Sequence, residues 1–179
     1  SAAIKAALLR GLEKCGLVAE GYAKKLCPVD TGNLRNSITH VVDEQEPAAI
    51  IGTDSEYGAY VELGTGIYAE GGGQSDKCQQ YIGYVVINRM ISNYYPNTLK
   101  DVFFSSAYAP ESQEKYRNGE CSKRAIENAK IVINNYYNDT MPVSPALVYQ
   151  SKFSQRINQF QIDGEEFGYS ERILRDLEQ

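Results

Sequence analysis

Through the first 26 positions apolar residues recur at steps of three and four: Ile4, Leu8, Leu12, Cys15, Val18, Tyr22 and Leu26. Lys5, Arg10, Glu13, Lys24 and Lys25 fall on the other side. Such a period winds one stripe along an α-helix, so the pattern predicts a long amphipathic helix from Ile4 to Leu26 with Leu8, Leu12 and Val18 buried. Pro28 ends it, because proline cannot continue the hydrogen-bond ladder, and Asp30 and Thr31 can cap a short turn through Asn36. From Ser37 to Val42 the spacing changes to two, the period of a strand. Ala48 to Gly52 is its predicted hairpin partner across a loop at 43–47. Tyr57, Tyr60 and Val61 share one face of a short segment that the glycines of Gly64-Thr65-Gly66 are expected to stop.

Beyond Gly71-Gly72-Gly73 the pattern becomes mainly helical. Ser75 or Asp76 can cap a helix whose apolar face is Cys78, Ile82, Val85, Val86 and Met90, ending near Asn93 before Pro96. Thr98-Leu99-Lys100-Asp101 opens a short helix through Phe104 with a capping-box-like start. Ser122 opens another, with Ile126, Ala129, Ile133 and Tyr136 on its buried stripe. Leu147-Val148-Tyr149 favours a strand, Phe160 to Tyr169 reads as a turn between two short strands, and Arg172 to Leu177 as a last helical turn. The predicted class is α+β.

Composition narrows the chemistry. The chain has 179 residues with 42% hydrophobic content, enough for a core. Eighteen basic against 23 acidic residues leave a charge of -5, without the basic field that nucleic-acid binding draws on. Sequence recognition of nucleic acid is therefore not expected. The single histidine, His40, excludes a His-rich metal site; on its strand it reads as a surface side chain. The four cysteines have no paired metal-ligand spacing, so neither metal nor cofactor is expected. Cys15 and Cys27 fall on the apolar stripe and read as reduced core thiols; a Cys78–Cys121 bridge stays open. No apolar run approaches a membrane span of about 20 residues, and no signal peptide is recognisable. Fourteen tyrosines suit a sugar-handling surface, an interface or an ordinary core.

Two resemblances meet in the chain. Leu26-Cys27-Pro28-Val29-Asp30-Thr31-Gly32-Asn33-Leu34-Arg35-Asn36-Ser37-Ile38, followed by Tyr57-Gly58-Ala59-Tyr60-Val61-Glu62-Leu63-Gly64-Thr65-Gly66, resembles the head-tail connector (neck or tail-completion) family of tailed bacteriophages. This resemblance implies a ring-forming structural subunit. Farther on, Tyr68-Ala69-Glu70-Gly71-Gly72-Gly73-Gln74-Ser75, Tyr84-Val85-Val86-Ile87-Asn88-Arg89-Met90, Tyr95-Pro96-Asn97-Thr98-Leu99-Lys100-Asp101-Val102, Val148-Tyr149-Gln150-Ser151-Lys152-Phe153 and Phe167-Gly168-Tyr169 resemble the SleB-type cell-wall hydrolases. These are similar to lytic transglycosylases, which cut the glycan of peptidoglycan. The implied layout is a connector-like α+β segment at 1–66 with a long helix on a small antiparallel sheet, a lysozyme-like, mainly helical hydrolase domain with a short β-hairpin at 67–170, and a tail at 171–179.

The second resemblance implies Glu70 as the catalytic acid, with Gln74, Tyr84, Asn88, Tyr149 and Gln150 as candidate substrate-binding residues and Tyr68, Tyr84 and Tyr149 as walls. Gln74 stands where the family has a second acidic residue. A glycine-flanked glutamate is also what a solvated loop carries, and the glycine-bounded segment before Glu70 predicts a non-helical approach to it. Arg89 reads as a surface or packing residue, with substrate binding as the other reading. The implied partners are peptidoglycan glycan strands together with further copies of the chain or other phage-particle proteins, and the implied location is the virion, or the bacterial cytoplasm before assembly. A structural neck subunit without turnover, or a fusion of partial domains, is the alternative.

Overall fold

The structure, a computed structural model, describes residues 2–27, 29, 32–105, 107–150 and 156–178. Pro28, Asp30, Thr31 and the Ser151-Lys152-Phe153 part of the later motif lie outside the described residues. The chain folds as two compact units, Ser1–Ala59 and Tyr60–Gln179. As the sequence pattern predicts, it mixes helices with small antiparallel sheets, and among the described residues no sheet runs through both units.

In the first unit, α1 (Ala2–Leu26) and the short α2 (Asn33–Ser37) precede a two-stranded hairpin of β1 (Thr39–Asp43) and β2 (Ala48–Gly52). Thr39 lies opposite Gly52 and Asp43 opposite Ala48. The Asp43 carboxylate accepts from the amides of Gln45 at 2.7 Å and Glu46 at 3.2 Å, which closes the turn.

The hairpin docks on the side of α1 that carries Glu13, Gly16 and Glu20. The His40 ring lies against Gly16, where a Cβ would run into it. His40 Nδ1 is 2.6 Å from Glu20 Oε2 and Nε2 is 3.3 Å from Glu13 Oε1, with the His40 side chain only 8% exposed. The expected surface histidine is therefore an anchor, because the missing side chain at Gly16 leaves a notch for the ring and two carboxylates bracket it. The docking also overturns the expected burial of the apolar stripe. Leu8 is 49% and Val18 60% exposed, and Leu12 is half-buried. A two-stranded sheet is too small to cover a 25-residue helix, and it covers the other side. For the same reason Cys15 is exposed and Cys27 half-buried, so neither is a core thiol.

The second unit takes in most of α3 (Glu56–Gly71), then α4 (Asp76–Ile91), α5 (Leu99–Phe103), α6 (Pro110–Arg117), α7 (Lys123–Tyr137), β3 (Leu147–Gln150), β4 (Arg156–Ile162), β5 (Glu165–Ser170) and α8 (Glu171–Leu177). Helix α3 does not stop at Gly64-Thr65-Gly66. Glycine costs roughly 1 kcal/mol in a helix interior, but here the absent side chains admit neighbours: a Cβ at Gly64 would lie 3.0 Å from the Ile126 backbone, and one at Gly66 would collide with the Phe103 ring. Helix α4 is buried on nearly every side from Cys78 to Arg89 and is the axis of the core, packed by Leu63 and Ile67 of α3, Val132 of α7, and Leu147 and Phe167 of the sheet. Its N-cap is Ser75, whose hydroxyl accepts from the Cys78 amide at 3.3 Å.

The predicted hairpin is two-thirds of a three-stranded sheet with strand order β3-β5-β4. Asp163 and Gly164 turn it with φ of 52° and 86°, the left-handed pair that suits right-twisted strands. None of the four cysteines is in a disulfide, Cys78 and Cys121 included.

Candidate active site

Helix α3 carries Glu70 in its last turn, so the approach to this carboxyl is helical, contrary to the reading of the glycines before it. Strand β3 ends at Gln150, whose Nε2 donates to Glu70 Oε2 at 3.1 Å. Glu70 Oε1 and Gln150 Oε1 are buried with no hydrogen-bond partner among the described residues. Burial pushes the Glu70 carboxyl above the usual carboxylate range. The Ser112 hydroxyl and the Arg89 guanidinium oppose the rise, Glu165 adds to it and Lys115 subtracts. Desolvation wins, and the proton is held more tightly than in water.

Glu70 borders an open cleft of about 420 Å³, lined also by Tyr68, Gly71 to Gly73, Gln74, Lys115 and Glu120. The glycine loop that forms its floor is tied from below. Gln79, fully buried, donates from Nε2 to the carbonyls of Gly71 at 3.1 Å and Gly72 at 3.3 Å. Asn128 of α7 donates to Gln79 Oε1 at 3.0 Å and fixes that amide in turn. Removing either side chain would leave buried polar atoms unpaired, so the loop after Glu70 is held by core geometry.

Of the residues singled out in the sequence, the fold gathers Glu70, Gln74, Gln150 and Tyr68 at one place. Tyr84 and Asn88 are inside the core. The Tyr84 hydroxyl accepts from Asn135 at 2.6 Å, and the Asn88 amide donates to the carbonyls of Ser144 at 3.0 Å and Leu147 at 2.9 Å. Tyr149 packs at the edge of a small cluster of Ala146, Val148 and Ile173. Arg89 is not on the surface: it is among the largest fully buried side chains. Sequence reasoning passed over Gln79, Tyr108, Ser112 and Asn128. The nearest signal in the sequence was the Asn88-Arg89 pair that directly follows the apolar run Tyr84 to Ile87.

A second hollow, about 630 Å³, wide and shallow, lies along α1 between Lys14, Cys15, Val18, Ala19 and Tyr22. It is apolar and belongs to the first unit. Residues 1–64 match the family model described as Bacteriophage HK97-gp10, putative tail-component. This N-terminal segment is phage-tail-like. The phage-tail-like segment covers α1, the His40 anchor, the hairpin and the start of α3, and it ends before Glu70. No curated protein and no solved structure matches the chain. Among the described residues no three His, Cys, Asp or Glu side chains gather as a metal site, and no helix is long and apolar enough to cross a membrane.

Proposed function

We propose that the chain is a phage-particle protein whose second unit cuts the glycan strand of peptidoglycan, with Glu70 as the general acid, while its phage-tail-like segment joins it to further copies or to other particle proteins. The observation that carries this reading is the placement of Glu70, half-buried at the edge of an open cleft, its carboxyl held by Gln150 and raised in pKa by burial. A carboxyl that burial makes hold its proton more tightly than in water is suited to protonate a leaving oxygen.

Hydrolysis by a water molecule uses two carboxylates, about 5 to 9.5 Å apart. A single carboxyl can instead protonate the glycosidic oxygen and take a proton back from the 6-hydroxyl of muramic acid as that oxygen closes on C1. Gln74 in the cleft is neutral and can bind a sugar amide but cannot activate water. Tyr68 offers a ring for the face of a sugar. The cleft carboxylate besides Glu70 is Glu120, on the loop between α6 and α7.

The test is muropeptide analysis of purified Gram-positive walls treated with the protein. Products should carry 1,6-anhydromuramic ends, and Glu70→Gln should lower the rate by about 100- to 10,000-fold, the usual worth of general acid catalysis. Reducing ends that vanish in Glu120→Gln would assign a hydrolytic mechanism to the Glu70–Glu120 pair. Walls left intact by the parent protein would leave the neck-subunit reading, which the match to a tail component and the open apolar stripe of α1 favour.

A further inference from the structure

Arg89 lies at the end of α4 with only 1% of its surface exposed. Its Nε donates to the Val148 carbonyl at 2.7 Å, and its guanidinium sits 4.9 Å from the ring centroid of Tyr108 and 5.5 Å from that of Tyr95. Nη1 has no hydrogen-bond partner among the described residues, and neither does the Tyr108 hydroxyl. A guanidinium is a permanent charge, and taking one out of water is costly unless an opposite charge is in reach. Ring faces return part of that cost. Glu70 Oε1 is likewise buried without a hydrogen-bond partner among the described residues, and this carboxyl lies in the field of Arg89.

The same strand registers both groups. Strand β3 accepts from Arg89 at the Val148 carbonyl and donates to Glu70 through Gln150. Asn88, one position before Arg89, fastens the carbonyls of Ser144 and Leu147 to α4. Arg89 and Glu70 are thus both tied to β3. The other groups that act on Glu70 are Ser112 and Lys115 of α6 and Glu165 of β5. Lys115 is exposed and water-screened, whereas Arg89 is dry.

We propose that Arg89 is the fixed counter-charge of Glu70, a positioning residue that stabilises the carboxylate left when Glu70 gives up its proton. The inference rests on the reading of Glu70 as proton donor. In that reaction the proton passes from Glu70 to the glycosidic oxygen as its bond to C1 breaks. The 6-oxygen then bonds to C1, and its proton returns to Glu70. The carboxyl must be protonated at the first step and ionised at the second. Burial serves the first and Arg89 the second.

The experiment is an NMR titration of protein with ¹³C-labelled glutamate side chains, the Glu70 signal being identified by its loss in Glu70→Gln. Arg89→Met should raise the Glu70 midpoint by about one pH unit, the low end of what a nearby opposite charge supplies. Arg89→Lys should keep the midpoint near that of the parent. Arg89→Gln and Arg89→Lys both retain a donor for the Val148 carbonyl, so this pair isolates the charge if Arg89→Met does not fold. The pH profile of wall lysis should move with the midpoint. Equal Glu70 midpoints in the charged and uncharged variants would overturn the proposal. The titration needs no substrate, so a parent protein that leaves walls intact would remove the proposed reaction alone, while unmoved midpoints with intact lysis would remove this inference alone.

Discussion

His40 is the single histidine of the chain, so its ring gives one titration curve. The Glu20 carboxylate beside it raises its pKa above 6.5, with Glu13 adding to the effect, and Glu20 itself is held down at about 2 by Lys24 and His40. The two signs bound a window. The contribution of a raised histidine is complete below its unfolded value and is lost as pH rises through the folded one. That of a lowered carboxyl is complete above its ordinary 4.5 and is lost as pH falls toward 2. The anchor between hairpin and α1 should therefore be strongest between about pH 4.5 and 6.5. In an NMR titration the His40 ring should titrate above 6.5 in the parent and return toward that value in Glu20→Gln. An unshifted ring in the parent would show that the Glu20 contact does not persist in solution. This residue was misread from the sequence because strand alternation gives the side of the strand but not what lies across from it.

Helix α3 shows how packing reverses a local signal. Two glycines and a β-branched threonine within three residues disfavour a helix, yet Thr65 bonds back to the Val61 carbonyl at 2.8 Å and the glycines seat Ile126 and Phe103. Gly66→Ala, a change that helix propensity alone scores as stabilising by about 1 kcal/mol, should destabilise by about 1 to 3 kcal/mol through overpacking. Chemical denaturation of the second unit reads the sign directly, and a stabilised variant would mean that Phe103 yields without cost. The same rigidity serves the site, since Glu70 takes its position from the helix that these contacts hold. The other helix starts were legible because capping is local chemistry: Ser75, Thr98 and Ser122 each accept from a backbone amide three residues on.

At the scale of the molecule, Ile4, Leu8, Val18, Tyr22 and Leu26 leave an apolar stripe in water along α1. An exposed stripe on a phage-tail-like segment predicts association with other copies or with particle proteins. Sedimentation over the micromolar range should show self-association of the protein, and Val18→Glu should shift its midpoint to about tenfold higher concentration or more. A parent that stays monomeric throughout would require a different particle protein as the partner. The amino-acid sequence by itself determined the periods, and with them α1, the hairpin, the capped helices and a turn between two short strands within Phe160 to Tyr169, since each rests on residues within a few positions of one another. The resemblance to the cell-wall hydrolases put Glu70 and Gln150 among the candidate site residues, and their side chains meet in the fold. Only the tertiary structure decided which side of α1 the hairpin covers, that α3 runs through its glycines, and that Arg89 is buried in the core. The physical reason is that burial and close approach depend on neighbours far along the chain, and no period in the sequence records them.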